Sequence, residues 1–434
     1  MARWIAWLVL AGWLMAPQAR AEVMLGSEVL AQMNFAPLRG KRVGLLTNPS
    51  GINRRGNSMI DVLRNAKGVQ LVALFAAEHG LYGTIPAGRE FASSIDARTR
   101  LPVYSLYAPG PIRRPTPAML RGIDTLVYDI QDTGIRSYTY ISTMGLAMEA
   151  CGAANVEFMV LDRPNPLGGL RAEGPMLDNN FRSFVGQWSV PYIYGLTCGE
   201  LARMINGEGW ITNRCRLSVI PMTGWQRSMV WNRTGLKWIP TSPNVPNGDT
   251  PMYLASTGIL GELGGLNLGG GTPYRFQCFS APWLNAATTS KTLNSYRLPG
   301  IAFRPMRYQK TSGEWVQGVK IDITNTSQSP LMCLNLHIWD AIKRTSGRDL
   351  FREAQKSGHS FNMFDKVVGT DQVRRSMERG QSSSFIVASW KNGESQFRAR
   401  RQNYLIPGYG QDVTVTPSKT PTPAPKKSLK TASR

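Results

Sequence analysis

Six apolar runs separated mostly by segments of helical spacing constrain this chain more than any other feature. "RVGLLTN" (42–48), "VQLVALFAA" (69–77), "LPVYSLY" (101–107), "DTLVYDIQ" (124–131), "VEFMVLD" (156–162) and "RLSVIPM" (216–222) read as strands. They are rich in Val, Leu and aromatics, and several have no polar alternation. Between them "SMIDVLRNA" (58–66), "TPAMLRG" (116–122), "YISTMGLAMEACGAAN" (140–155) and "LTCGELARMINGEG" (196–209) have helical spacing. Continuous apolar strands alternating with helices imply a parallel sheet covered on both faces, an α/β architecture. The stretch from Trp231 to Trp283 is dense in Pro, Gly and Asn and reads as long, site-forming loops. A smaller α/β unit is expected from Ala286, with a strand at 319–325 and a helix at 331–345.

The expected organisation is therefore a signal segment at 1–21, a Rossmann-like domain at 22–285, a C-terminal α/β domain at 286–410 and a basic tail at 411–434. "MARWIAWLVLAGWLMAPQARA" carries a basic start, an apolar centre and a small-x-small end, the pattern of a secretory signal. Secretion across an inner membrane, to a periplasmic or extracellular location, is the expectation. The tail is rich in Pro, Thr and Lys and should be disordered.

Charge narrows the partners. Fifty Lys and Arg against 28 Asp and Glu leave a formal +22. That calls for an acidic partner: nucleic acid, anionic lipid or an anionic envelope polymer. Export makes nucleic acid a poor choice and leaves the envelope, which the basic tail could also contact. The five cysteines show no metal-type spacing. Up to two disulfides or single buried thiols are both compatible with the sequence.

Open parallel sheets bind ligands at the carboxyl ends of their strands. The first strand ends at Asn48 and the second at Glu78 and His79. The fourth ends at Asp129 and Asp132, and the fifth at Asp162, Arg163 and Asn165. Polar groups from four strands converge on one rim. Such a cluster suits acid–base hydrolysis, and glycosidic cleavage in particular. That reaction needs a protonated carboxyl for the leaving oxygen and a second group to stabilise the transition state or activate water. The chain contains no P-loop, no GxGxxG after the first strand, no HExxH and no GxSxG. No cofactor and no metal are expected. Aromatic residues, among them Tyr82, Tyr138, Tyr140, Tyr192, Tyr194 and Trp283, crowd the same loops and could present faces to a sugar ring.

Several motifs follow one another in a fixed order: "RVGLLTNPSGINRRG", "LVALFAAEHGLYG", "DTLVYDIQDTGIRSYTYISTM", "VLDRPNPLGG", "EGPMLD", "FRSFVGQW" and "SAPW". In this they resemble the exo-β-N-acetylmuramidases of the NamZ type, from about Ala31 to the "FRARRQNYL" segment. The resemblance implies a Rossmann-like domain carrying the catalytic cleft, a smaller C-terminal α/β domain and hydrolysis of terminal N-acetylmuramic acid from peptidoglycan fragments. It implies Glu78 as the leading catalytic carboxylate, with Asp132 or Asp129 stabilising the transition state or activating water. It also places Arg136, Tyr138, Asp162, Arg163, Asn165, Glu173 and Glu262, beside Asn48 and His79, among the substrate-binding residues. Tyr82 and Thr84 stand where the family usually has Arg and Asp, and Gly270 where it usually has Arg. A lactyl carboxylate would bind a guanidinium, so these departures turn attention to Arg136, Arg163 and Arg275. The rival expectation is an envelope-binding protein that uses the same cleft without turnover.

Overall fold

Val and Leu fill "RVGLLT", and the segment becomes β1 (Arg42–Thr47) at the middle of a seven-stranded sheet. The computed structural model describes residues 22–110, 113–358 and 360–411. The expected signal segment and the tail from 412 onward lie outside the described residues. The sheet continues with β2 (Gln70–Ala76), β3 (Ser94–Ile95), β4 (Pro102–Ser105), β5 (Thr125–Asp129) and β6 (Glu157–Leu161). A separate antiparallel pair, β7 (Glu173–Met176) and β8 (Pro191–Ile193), precedes the last strand of the sheet, β9 (Arg216–Ile220). The spatial order is β3-β4-β2-β1-β5-β6-β9, and only β3 runs antiparallel to its neighbour. Numbered by their place in the chain, the parallel strands are ordered 3-2-1-4-5-6, the doubly wound arrangement. Its switch point falls between β1 and β5, where Thr47 pairs with Asp129.

Period-two alternation divides the core between the two faces. Leu46, Phe75, Leu126, Tyr128 and Phe158 pack under helices that include Met144 and Ile205. Val43, Leu45, Leu74, Val127 and Met159 pack on the other side with Leu30 and Leu63. The helices are α1 (Gly26–Gln32), α2 (Met59–Arg64), α3 (Pro117–Leu120), α4 (Tyr140–Ala153) and α5 (Cys198–Gly207). α5 starts on a capping box: Thr197 Oγ1 accepts from Glu200 N at 3.2 Å, and Glu200 Oε2 accepts from Thr197 N at 3.1 Å. Gly51 marks the switch point. A Cβ there would run into Thr47 and the Asp129 carbonyl, so the chain can turn this close to β5 only with glycine.

The second unit holds α6 (Thr250–Thr257), β10 (Cys278–Ser280), α7 (Ala286–Ser295), β11 (Ile301–Gln309) and β12 (Trp315–Ile323). It closes with α8 (Leu331–Ser346), α9 (Leu350–Lys356), α10 (Asn362–Val368), α11 (Gln372–Glu378) and α12 (Ser383–Arg401). β12 pairs antiparallel with β10 and β11 on its two sides. Met252, Ala255 and Ile259 share a core with Phe279, Val319, Leu334 and Ile338. The segment 250–285 thus packs with this unit, ahead of the boundary at Ala286 read from sequence. The Pro and Gly density of the region masks α6, whose proline sits in the first turn where it is tolerated.

Buried polar groups bind the units along their seam. Glu173 Oε2 accepts from Leu331 N (2.9 Å) and Met332 N (3.1 Å), capping α8 from β7. Arg401 Nη1 donates to the Arg171 and Tyr194 carbonyls at 2.8 and 3.0 Å, and Arg398 donates to Leu170 and Ala172 at 2.6 and 3.0 Å. All five cysteines are buried free thiols. No helix among the described residues is long and apolar enough to cross a membrane.

Candidate active site

A cavity of about 400 Å³ opens at the seam, over the carboxyl ends of the sheet strands. Glu78 and His79, just beyond β2, form one side, with Ser137, Tyr138, Thr139 and Tyr140 from the turn into α4. Ser242 and Asn244 come from the Pro-rich loop, and Leu254, Gly258, Glu262 and Phe276 from the second unit. Glu78 is held at both oxygens: Oε2 accepts from Thr139 Oγ1 at 2.7 Å and Oε1 from Gly88 N at 2.8 Å. It is half-buried and accessible from the cavity.

His79 is the other end of the motif. Its Nδ1 donates to the Ile85 carbonyl at 2.8 Å. Its φ is +70°, and Phe276 across the cavity has φ +62°. An aromatic residue in the left-handed region is uncommon and is held there only by its surroundings. Here Phe276 N donates to the Leu268 carbonyl at 2.7 Å, and the Phe276 carbonyl accepts from Thr257 Oγ1 at 3.1 Å.

Two tyrosines feel the charge of Glu78 and of a second carboxylate, Asp132. Tyr138 donates or accepts with Thr241 Oγ1 at 2.7 Å, Tyr140 donates to the Thr241 carbonyl at 2.6 Å, and their rings meet edge to face. Burial raises both phenols, and the charges of Glu78 and Asp132 add to it. Asp132 itself is buried and is not among the residues lining the cavity. Its Oδ2 accepts from Gly134 N at 2.7 Å and from the Tyr194 hydroxyl, and Oδ1 has no hydrogen-bond partner among the described residues. Burial pushes this carboxyl up to about 6, against the pull of the Tyr194 and Gly134 bonds.

The other residues singled out from sequence hold the loops and do not line the cavity. Asp129 is wholly buried, and both its oxygens are taken by Arg163, at 2.7 Å from Nε and 3.1 Å from Nη2. Arg163 also donates to the Ile52 carbonyl at 2.9 Å. Asp162 accepts from Gly199 N (2.8 Å), Thr197 Oγ1 (2.7 Å) and the Tyr409 hydroxyl (2.6 Å). Asn165 donates to Leu196 O at 2.9 Å and accepts from Leu167 N at the same distance. Asn48 Oδ1 accepts from Ser50 N at 2.9 Å. Arg136 is fully buried and donates to the carbonyls of Pro175 (2.8 Å), Val190 (2.7 Å) and Val368. Glu173 is occupied by α8 and by Arg171. Apart from Asp129, which pairs with Arg163, each of these groups satisfies loop or seam backbone that would otherwise be buried unpaired.

Glu78, His79, Tyr138 and Glu262 thus share the cavity. Sequence reading did not single out Ser242, Asn244 or Phe276 as site residues. The signal for the first two is "TSPNVPNG" inside the loop-rich stretch, and Phe276 has none, because its placement depends on how its loop closes on Leu268 and Thr257. Among the described residues no group of three His, Cys, Asp or Glu side chains is placed to hold a metal ion.

A doubly wound α/β unit joined to a smaller one, with a carboxylate-bearing, aromatic-walled cavity at their seam, defines a two-unit protein built around a small-molecule cleft. The chain belongs to the NamZ exo-β-N-acetylmuramidase family: its N-terminal family model matches residues 43–249 and its C-terminal model residues 252–406. A curated relative, the peptidoglycan β-N-acetylmuramidase NamZ of Bacillus subtilis (strain 168), is 38% identical over 391 residues, covering 89% of this chain and 92% of the relative. Two crystal structures of DUF1343 family proteins from Bacteroides fragilis are also similar. One is 42% identical with a TM-score of 0.81, covering 90% of this chain and 100% of that one. The other is 27% identical with a TM-score of 0.69, covering 89% and 99%.

Proposed function

We propose that the protein is an exo-acting glycoside hydrolase that releases terminal N-acetylmuramic acid from peptidoglycan fragments in cell-wall turnover, with Glu78 as general acid. The observation that carries the assignment of the acid is that Glu78 is a carboxylate on the cavity wall fixed at both oxygens. A cavity of about 400 Å³ suits a ligand of sugar size, and the aromatic faces of Tyr138, Tyr192 and Phe276 suit the C–H surface of a pyranose. In this reading Glu78 gives its proton to the glycosidic oxygen. Asp132 acts from behind Tyr138 and Tyr140, stabilising positive charge at the anomeric carbon, and Glu262 binds sugar hydroxyls from the second unit. The N-terminal sequence supports export, so the substrate would be met outside the cytoplasm, and cell fractionation tests that. Purified protein should cleave a chromogenic N-acetylmuramide, and Glu78→Gln should not. Equal rates for the two proteins would remove Glu78 from the chemistry.

A further inference from the structure

Arg275 differs from every other arginine near the cavity. Arg136 donates from both terminal nitrogens to carbonyls, Arg163 donates to Asp129 and the Ile52 carbonyl, and Arg113 to Glu90 and the Ala108 carbonyl. Arg275 is half-buried, yet no carboxylate or carbonyl among the described residues takes a hydrogen bond from its guanidinium, and its Nε is buried without a partner. Its contact is with a ring: the guanidinium lies 4.8 Å from the centroid of Phe276, which lines the cavity, while Arg275 itself stands just outside the lining. Withdrawing a cation from water without an anion is unfavourable, and a cation–π contact offsets only part of that. The loop that presents it is tied down, because Phe276 is held in the left-handed region by Leu268 and Thr257. Gly270 gives the side chain its room, since a Cβ there would come within 2.7 Å of Arg275 Nη1.

We propose that Arg275 is the anion-recognising residue of this cavity and takes the carboxylate that the lactyl ether adds to muramic acid. The assignment rests on the muramidase reading for the identity of the sugar. The fixed fork of a guanidinium offers two parallel donors to a carboxylate, which separates N-acetylmuramic acid from N-acetylglucosamine by charge as well as size. Arg275 is thus a specificity-determining residue with no part in proton transfer.

Binding tests it without turnover. Calorimetric titration of the full-length protein with free N-acetylmuramic acid, its lactyl methyl ester and N-acetylglucosamine should show the acid bound best. Arg275→Gln should weaken the acid about ten- to a hundredfold, as loss of a charge-assisted pair does, and change the ester far less. Arg275→Lys, which keeps charge and loses the fork, should fall between them. Thermal melting of each variant confirms the fold, and Arg275→Lys carries the test if the glutamine protein unfolds. Equal weakening of acid and ester, or unchanged affinity for the acid in both variants, would overturn the proposal. If the wild-type protein bound the acid through Arg275 yet cleaved no muramide, the hydrolase reading would fail while this one stood.

Discussion

Thr139 donates its hydroxyl to Glu78 at 2.7 Å, tying the turn before α4 to the loop after β2. The bond fixes the direction in which the carboxyl faces the cavity. Glu78→Gln should lower kcat by about 10²–10⁴-fold with the fold retained, because the amide has no proton to give. Thr139→Val should lower kcat by roughly tenfold with a smaller change in KM, since the acid stays but loses its anchor. Steady-state kinetics on one muramide substrate measures both, and a threonine variant as inactive as the glutamine variant would give the hydroxyl a direct part in the chemistry.

Arg136 should behave as a structural clamp. Truncation to Ala leaves the Pro175, Val190 and Val368 carbonyls buried without their donor. The expected loss is about 3 kcal/mol or more, visible in urea unfolding. If Arg136 bound substrate instead, its removal would raise KM and leave the unfolding midpoint in place.

Asp132 gives a stability signature with pH. Its carboxyl is raised to about 6 from an ordinary 3.8, so the folded protein takes up a proton across that window. The stabilisation is full below about pH 4 and is lost as pH rises through about 6. Asp132→Asn, neutral throughout, should flatten the fall and be more stable than wild type at pH 7.5 by on the order of 1–3 kcal/mol. Calorimetric melting at pH 4.5 and 7.5 reads the difference. The same variant should lose activity if the Asp132 charge assists the reaction through Tyr138 and Tyr140, and keep it if the carboxyl only closes the Gly134 turn.

Gly270→Arg on the Arg275→Gln background should restore affinity for N-acetylmuramic acid. Position 270 does not lie in the left-handed region, and the one close contact of a Cβ there is with the end of the side chain at 275, with Asn267 at ordinary van der Waals distance. Recovery of at least half of the lost binding free energy is expected, by the same titration. A folded double variant no better than Arg275→Gln would mean that a guanidinium from 270 cannot reach the anion.

The sheet was legible because its strands are buried on both faces, and "RVGLLT" or "EFMVL" has little other use. The strand-end rule also led to Glu78 and His79. It also pointed to Asp129, Asp162, Arg163 and Asn165, which stand on the same rim and bond to one another or to the loops there. A tight turn beside a sheet buries amides and carbonyls that need partners, and a strand-end carboxylate serves them as readily as it serves a ligand. Which role wins depends on what reaches it from elsewhere: the Thr139 hydroxyl for Glu78, the Arg163 fork for Asp129. Phe276 was illegible for the same reason, since its position follows from a loop closed on Leu268 and Thr257, and Arg275 was only one of three arginines that the sequence offered.

The α8 cap has a wider meaning. The carboxylate that starts this helix belongs to β7, more than 150 residues earlier in the chain (|i−j| = 158). A copy of the second half alone would lack the group that caps this helix, and a copy of the first half would carry a charged side chain with nothing to cap. Recombination that parts them would break both halves at once. The cavity wall is drawn from each half, so the two have reason to travel through evolution as a single heritable block.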